Sequence, residues 1–209
     1  MPKKKIEELL TGRFGGNELR YKICVSGAAE TGHCAADAVE KAQVMGREIA
    51  KRGLVLVTGA TTGIPYWAAK GAKSEGGIVI GISPAASKQH HVKTYRLPTD
   101  YHDLIIYTGF EYSGRNLLLT RSSDAIITLC GRMGTLNEFT ASFEDGKPQG
   151  VLLGSGGTTD LIPEIMDKAN RGPGKVVFSK NPSELLDALL DIIIKEEQKN
   201  GNHTTRILP

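Results

Sequence analysis

The 209-residue chain has no run of about 18 apolar residues, the length a helix needs to cross a bilayer, so no membrane span is expected. Its early basic residues Lys3, Lys4 and Lys5 are not followed by the apolar stretch of a secretory signal, which predicts a cytoplasmic protein. Aromatics make up only 6% of the chain, and no basic stripe interleaves with them. The net charge of +3 owes much to those three lysines. Together these features argue against a nucleic-acid partner. Cysteine is scarce. Cys24, Cys34 and Cys130 are odd in number and match no zinc spacing, which predicts reduced structural thiols and no metal. Cys130 borders a glycine loop and can help to shape a pocket there, but no His partner for a nucleophile is evident nearby. His90-His91 likewise lacks metal-ligand spacing. No cofactor is expected.

Glycine, by contrast, is abundant at 25 residues, and many glycines stand just after strand-like runs. That placement favours ligand-binding loops over disorder. Residues 1–20 read as a short helix and a Gly-rich connector, an extension ahead of a single domain over 21–195. A polar, frayed tail over 196–209 follows. Within the domain, apolar runs alternate with amphipathic segments. Tyr21–Val25, Leu54–Val57, Ile78–Ile82 and Asp124–Leu129 read as strands, with shorter ones at 103–107, 151–153 and 176–178. Helices are expected over 35–51, from Pro65 to Gly76, around 115–120, from near Thr135, over 160–169 and over 182–195. Residues 84–100 read as a polar, flexible flap. The Leu185–Ile194 stripe is core or a dimer face. Continuous apolar strands alternating with helices predict an α/β, Rossmann-like, doubly wound and mainly parallel sheet with helices on both faces.

Ligands in such sheets sit beyond the carboxyl ends of the strands. Three Gly-bearing loops fall there, at 26–32, 58–63 and 130–135. The most informative is Cys130-Gly131-Arg132-Met133-Gly134-Thr135, which leaves a strand and opens a helix. Free amides and the positive end of the helix dipole suit Gly131, Arg132, Met133, Gly134 and Thr135 to a phosphate. Arg132 either contacts the ligand or makes a structural contact. Glu138, about one turn into that helix, reads as a capping acid or as a catalytic group beside the phosphate. Gly59, Thr62 and Gly63 offer amides and a hydroxyl to phosphate or ribose. Ser26 and Gly27 are candidates for base or ribose contact. Tyr66 and Trp67 read as packing residues rather than stacking platforms, and His102-Asp103 as a loop hydrogen bond rather than an oriented base.

Several stretches, in order, resemble the LOG-like ("lonely guy") family of the SLOG nucleotide-binding superfamily. They are Thr58–Gly63, Gly76–Pro84, Gly114-Arg115-Asn116 and Cys130–Glu138, the last similar to Pro-Gly-Gly-x-Gly-Thr-x-x-Glu. The resemblance covers roughly residues 20–180. It implies a nucleoside 5′-monophosphate phosphoribohydrolase acting on a substrate such as AMP, with Arg115 and Glu138 as the catalytic pair and a homodimeric assembly. In such chemistry a carboxylate serves an oxocarbenium-like ribose or its attacking water. The chain departs from the pattern at Cys130 for Pro, Arg132 for Gly, Asn137 for an acid and Asn116 for Lys. The altered loop keeps a second reading open, a nucleotide-binding or sensing protein without turnover. A nicotinamide-dependent oxidoreductase is disfavoured, because Gly27–Gly32 lacks the Gly-x-Gly-x-x-Gly pattern and no acid ends the second strand.

Overall fold

A computed structural model describes residues 11–14 and 17–204. Its first elements are β1 (Thr11–Phe14) and β2 (Asn17–Arg20), an antiparallel hairpin with Thr11 opposite Arg20. The hairpin stands where a glycine-rich connector was expected; the helix expected ahead of it falls on residues outside those described.

The rest of the chain alternates strand and helix. β3 (Lys22–Gly27) leads to α1 (Ala38–Lys51), β4 (Val55–Thr58) to α2 (Ile64–Ser74), and β5 (Ile78–Ser83) through a single π-helical turn at His90–Thr94 to β6 (Leu104–Tyr107). Then come α3 (Glu111–Arg121), β7 (Ala125–Leu129), α4 (Met133–Glu144) and β8 (Gln149–Leu152). A 3-10 turn at Thr158–Leu161, α5 (Ile162–Ala169), β9 (Val176–Ser179) and α6 (Pro182–Thr204) complete it. The seven strands β3–β9 pair in parallel in the order β6-β5-β4-β3-β7-β8-β9. This is the Rossmann-like, doubly wound sheet that the alternation predicts. The strand order reverses between β3 and β7, and the crevice opens at that point.

Side chains alternate across the sheet with the period of two that a strand imposes. Ile23 and Val25 of β3 point into a core with Met45 and Ile49 of α1, Ala68 and Ala72 of α2, and Leu185, Leu189 and Ile193 of α6. Cys24 points the other way and packs with Leu119 of α3 and Ile126 of β7. Phe139 of α4 meets Val151 and Ile162 on that second face. The Leu185–Ile194 stripe is therefore core. Its helix also runs on to Thr204, past the end at Lys195 that the apolar periodicity suggests, because the polar residues beyond carry no proline to stop it. Among the described residues, no helix is long and apolar enough to cross a membrane.

Two histidines tie the loops at the carboxyl ends. His91 is fully buried. Its Nε2 lies 2.9 Å from the Pro98 carbonyl, which can only accept, so Nε2 carries the proton and Nδ1 accepts from Ser83 Oγ at 2.8 Å. The 84–100 segment, read from its polarity as a flap, is thus pinned from inside. His102 uses Nδ1–H on the Asp100 carbonyl (2.9 Å) and accepts from Thr58 Oγ1 at Nε2 (2.9 Å). Burial holds its pKa below the usual imidazole value. A neutral His102 thereby fixes Thr58, whose Oγ1 accepts from the Ala60 amide and sets the start of the 59–63 loop.

Candidate functional site

The floor of the crevice is built by three elements. β3 supplies Ser26, α3 supplies Arg115 and Asn116, and α4 supplies Glu138; all four side chains are buried. Glu138 Oε2 accepts a hydrogen bond from Ser26 Oγ. With its nitrogen turned toward Glu138, the Asn116 amide donates to Oε1 at 2.8 Å and to the Tyr112 carbonyl at 2.9 Å. Burial pushes the Glu138 carboxyl above its usual range, opposed by the Arg115 charge and the Ser26 hydrogen bond. The result is an inward-facing acid held at both oxygens by neutral donors.

Arg115 lies directly beneath the 59–63 loop. A Cβ on Gly59 would stand 1.8 Å from an Arg115 terminal nitrogen, so a side chain there would push the guanidinium out of its place. Arg115 reaches the Ile82 carbonyl at 3.5 Å, a weak contact. Its Nε is buried and has no partner among the described residues. Buried polar groups are nearly always paired, and an orphan donor on a cation costs more than most. Ser26, Gly27, Gly59, Thr61, Arg115 and Glu138 surround a cavity of about 20 Å³. That is room for a water, not for a sugar ring.

Above this floor α4 begins. Its cap residue Arg132 is extended and gives no side-chain cap, and the first helical backbone bond runs from the Leu136 amide to the Arg132 carbonyl. The amides of Met133, Gly134 and Thr135 are the open donors of that first turn. At Gly134 the nearest atom a Cβ would meet is the outer end of the Asn116 amide, 3.9 Å away, so the backbone is open to approach. Met133 is strongly exposed and Thr135 buried.

The other predicted residues have different duties. Arg132 pairs with Glu30 at 2.7 Å on the exposed rim and does not line the cavity, so it leaves the site unplugged. Gly131 packs under a neighbouring loop: its carbonyl accepts from the Thr158 amide (2.9 Å), and a Cβ would lie 2.6 Å from Thr158 Oγ1. Gly27 faces Ile64, and Gly63 faces the Ala28 carbonyl, at distances that admit no side chain. Thr62 Oγ1 donates to the Ala29 carbonyl at 2.9 Å. These three residues stitch the 26–32 loop to the 58–63 loop. Ser26, Gly27, Gly59, Arg115 and Glu138 come together at one cavity; Thr62, Gly63 and the turn of Gly131, Arg132, Met133, Gly134 and Thr135 do not line it.

Three features escape the sequence reading. Asn116, seen only as a departure from a lysine, is a direct partner of Glu138. The Gly154–Thr158 loop closes over the turn that opens α4, and its Ser155 Oγ accepts from the Cys130 amide at 2.8 Å; four glycine and serine residues after a strand were the signal for it. The third is a correction. Cys34 and Cys130 are not separate reduced thiols but a disulfide, 96 residues apart in sequence, with a Cα–Cα distance of 5.5 Å. A histidine does stand near Cys130: His33 Nε2 lies 3.7 Å from its sulfur. Sequence spacing hides both facts, because the three residues meet only across two loops.

Fold and site together describe a Rossmann-like protein whose crevice at the switch point presents a buried cation and open helix amides. The chain belongs to the SLOG cluster4 family, whose sequence profile matches residues 20–186. A protein of Archaeoglobus fulgidus is 33% identical over 126 residues, 60% of this chain and 78% of that relative. Among solved structures, the molybdenum cofactor binding protein of the phototrophic bacterium Rippkaea orientalis is similar at TM-score 0.69 and 29% identity, over 84% of this chain and 98% of that one. The molybdenum cofactor carrier protein of Chlamydomonas reinhardtii is similar at TM-score 0.67 and 26% identity, over 83% and 99%.

Proposed function

We propose that this protein binds the phosphate end of a small heterocyclic phosphate ester, a nucleotide or a pterin phosphate, and holds it without cleaving it. The supporting observation is the buried, unpartnered Nε of Arg115 beside a water-sized cavity, next to the open first turn of α4. A charge-assisted hydrogen bond contributes about 1.5–3 kcal/mol. A helix terminus adds roughly 0.3–2 kcal/mol. Their sum corresponds to binding around the millimolar range. The heterocycle must supply the remaining affinity through the crevice mouth. The molybdenum cofactor, for which two structural relatives are named, is a pterin bearing a phosphate, and its phosphate end matches this donor set.

Isothermal titration with AMP, GMP and a pterin phosphate tests the reading. Micromolar or tighter binding of one of them, weakened roughly tenfold to a hundredfold in Arg115→Met, supports it. Equal binding by wild type and Arg115→Met overturns it. A hydrolytic reading rests on one specific observation: the raised, buried carboxyl of Glu138 next to a cavity that fits a water. Incubation with AMP, GMP, CMP, UMP and N6-modified AMP, followed by chromatography for free base, separates the two. Base release that disappears in Glu138→Gln with binding retained makes the protein a phosphoribohydrolase. Binding without release leaves it a carrier or sensor. We extend the proposal to a homodimer in the cytoplasm. Phe110, Leu117 and Leu118 leave apolar surface exposed along α3 for a second copy to cover, which sedimentation equilibrium tests.

A further inference from the structure

The junction of the 26–37, 130–132 and 154–158 loops carries chemistry that phosphate binding does not use. We infer that, once the Cys34–Cys130 disulfide is reduced, His33, Cys34 and Cys130 form a binding site for one thiophilic d10 cation, Zn²⁺ or Cu⁺, with a coordination position left open. The donor atoms of these three residues all lie within 4.8 Å of one another. Tetrahedral coordination with metal–sulfur near 2.3 Å and metal–nitrogen near 2.0–2.1 Å requires a sulfur–nitrogen separation of about 3.6 Å. His33 Nε2 stands 3.7 Å from Cys130 Sγ. One edge of the tetrahedron is therefore already drawn.

Both cysteine backbones are fixed to the same third loop. The Cys130 amide donates to Ser155 Oγ at 2.8 Å, and the Cys130 carbonyl accepts from the Ala28 amide at 2.8 Å. Cys34 forms an antiparallel bridge with Gly156, and the Ala35 amide donates to the Ser155 carbonyl at 3.0 Å. Gly156 has φ of +91°, and a Cβ on it would stand 2.8 Å from the Ala35 nitrogen. The junction thus requires glycine, and it keeps the two sulfurs adjacent whether or not they are bonded. Opening needs only side-chain rotation of the cysteines. His33 is exposed and Cys34 half-buried, so a cation can enter from solvent.

The chemistry balances as two steps. Two equivalents of a small thiol reduce the disulfide to two thiols and are themselves oxidised to one disulfide. Zn²⁺ then displaces two protons from Cys34 and Cys130 and takes the neutral His33 imidazole as its third ligand. The two thiolates cancel the cation's charge.

Cobalt is the probe. Full-length protein is reduced with a phosphine, desalted without oxygen and titrated with Co²⁺. We expect one equivalent to bind, with thiolate-to-cobalt absorption in the near ultraviolet and intense tetrahedral bands in the visible, and Zn²⁺ to displace it. Cys34→Ser and Cys130→Ser should each weaken binding and diminish the thiolate band, and the double variant should lose it. His33→Ala should weaken binding at least tenfold and change the visible bands. Cys24→Ala, which alters a buried strand residue away from the junction, should behave as wild type. Circular dichroism checks folding; should Cys130→Ser fail to fold, Cys34→Ser and His33→Ala on the surface loop carry the test. Reduced protein with three free thiols and no bound cobalt overturns the inference. So does a thiolate band undiminished in Cys34→Ser, an unaffected His33→Ala, or a disulfide that the phosphine cannot open.

Discussion

The floor and the rim of the crevice meet at α4, which carries Glu138 and is capped by Arg132, but they obey different physics. On the floor, Arg115 and Glu138 are 5% and 6% exposed, and every contact they make or lack is felt at low dielectric. On the rim, the Arg132 and Glu30 side chains are 55% and 79% exposed, and solvent screens their attraction. A shorter ion pair on the rim therefore carries less energy than a missing partner on the floor. The lesson is that charge near a glycine loop is informative only with its burial attached. Arg132, the louder departure in the sequence, is the weaker actor.

Four experiments would break or sharpen this contrast. The largest effect is expected where the rim is covalent. The Cys34–Cys130 bond closes a loop of nearly a hundred residues, and opening it should cost about 2–4 kcal/mol of stability, read as a lower denaturation midpoint with reductant and reproduced by Cys34→Ala. An unchanged midpoint would mean that the loop hydrogen bonds alone hold the junction.

Next comes Arg115→Met on the floor. It should weaken phosphate-ester binding by roughly tenfold to a hundredfold, in line with a lost charge-assisted bond. The same variant should melt no lower than wild type, because it removes a buried cation with an orphan donor. A destabilised protein would show that Arg115 is structural.

Glu138→Gln gives a pH signature. The folded carboxyl is raised above its unfolded value, so between the two values the folded state holds more protons and wild-type stability falls as pH rises. The loss begins in the ordinary carboxylate range and is complete above the folded pKa. Glutamine does not ionise, so the stability difference between Glu138→Gln and wild type should shift in the variant's favour over that window. Parallel curves from pH 4 to 8, an interval of about four units upward from the usual carboxyl value, would place Glu138 in contact with water. The smallest effect is expected for the rim ion pair: a double-mutant cycle of Arg132→Ala and Glu30→Ala should give a coupling of about 0.2–1 kcal/mol. A coupling of several kcal/mol would put that pair inside the site.

How far the site was legible depended on whether its parts lie together in the chain. The β7 strand, the turn and Glu138 are contiguous, and their pattern pointed to a strand, a phosphate turn and an inward acid. Arg115 was reachable because the LOG-like stretch Gly114-Arg115-Asn116 marked it, although its position under Gly59 was not. Asn116 as a partner of Glu138 was invisible, since its amide acts across two helices. The 84–100 segment was misjudged for a related reason: polarity suggested a flap, while the buried His91 ties it to Ser83 from inside.

Apolar periodicity alone settled the alternation of strands and helices, because a side chain's face follows from its position in a strand or helix without reference to distant residues. Glycine spacing likewise marked strand ends whose loops meet at the crevice. Only the folded chain decided that Ser26, Arg115 and Glu138 share a water-sized hollow, that Arg132 stands clear of it, and that Cys34, Cys130 and His33 converge. Those arrangements are distances between residues far apart in sequence, and distance across a fold is set by packing, which no local pattern encodes.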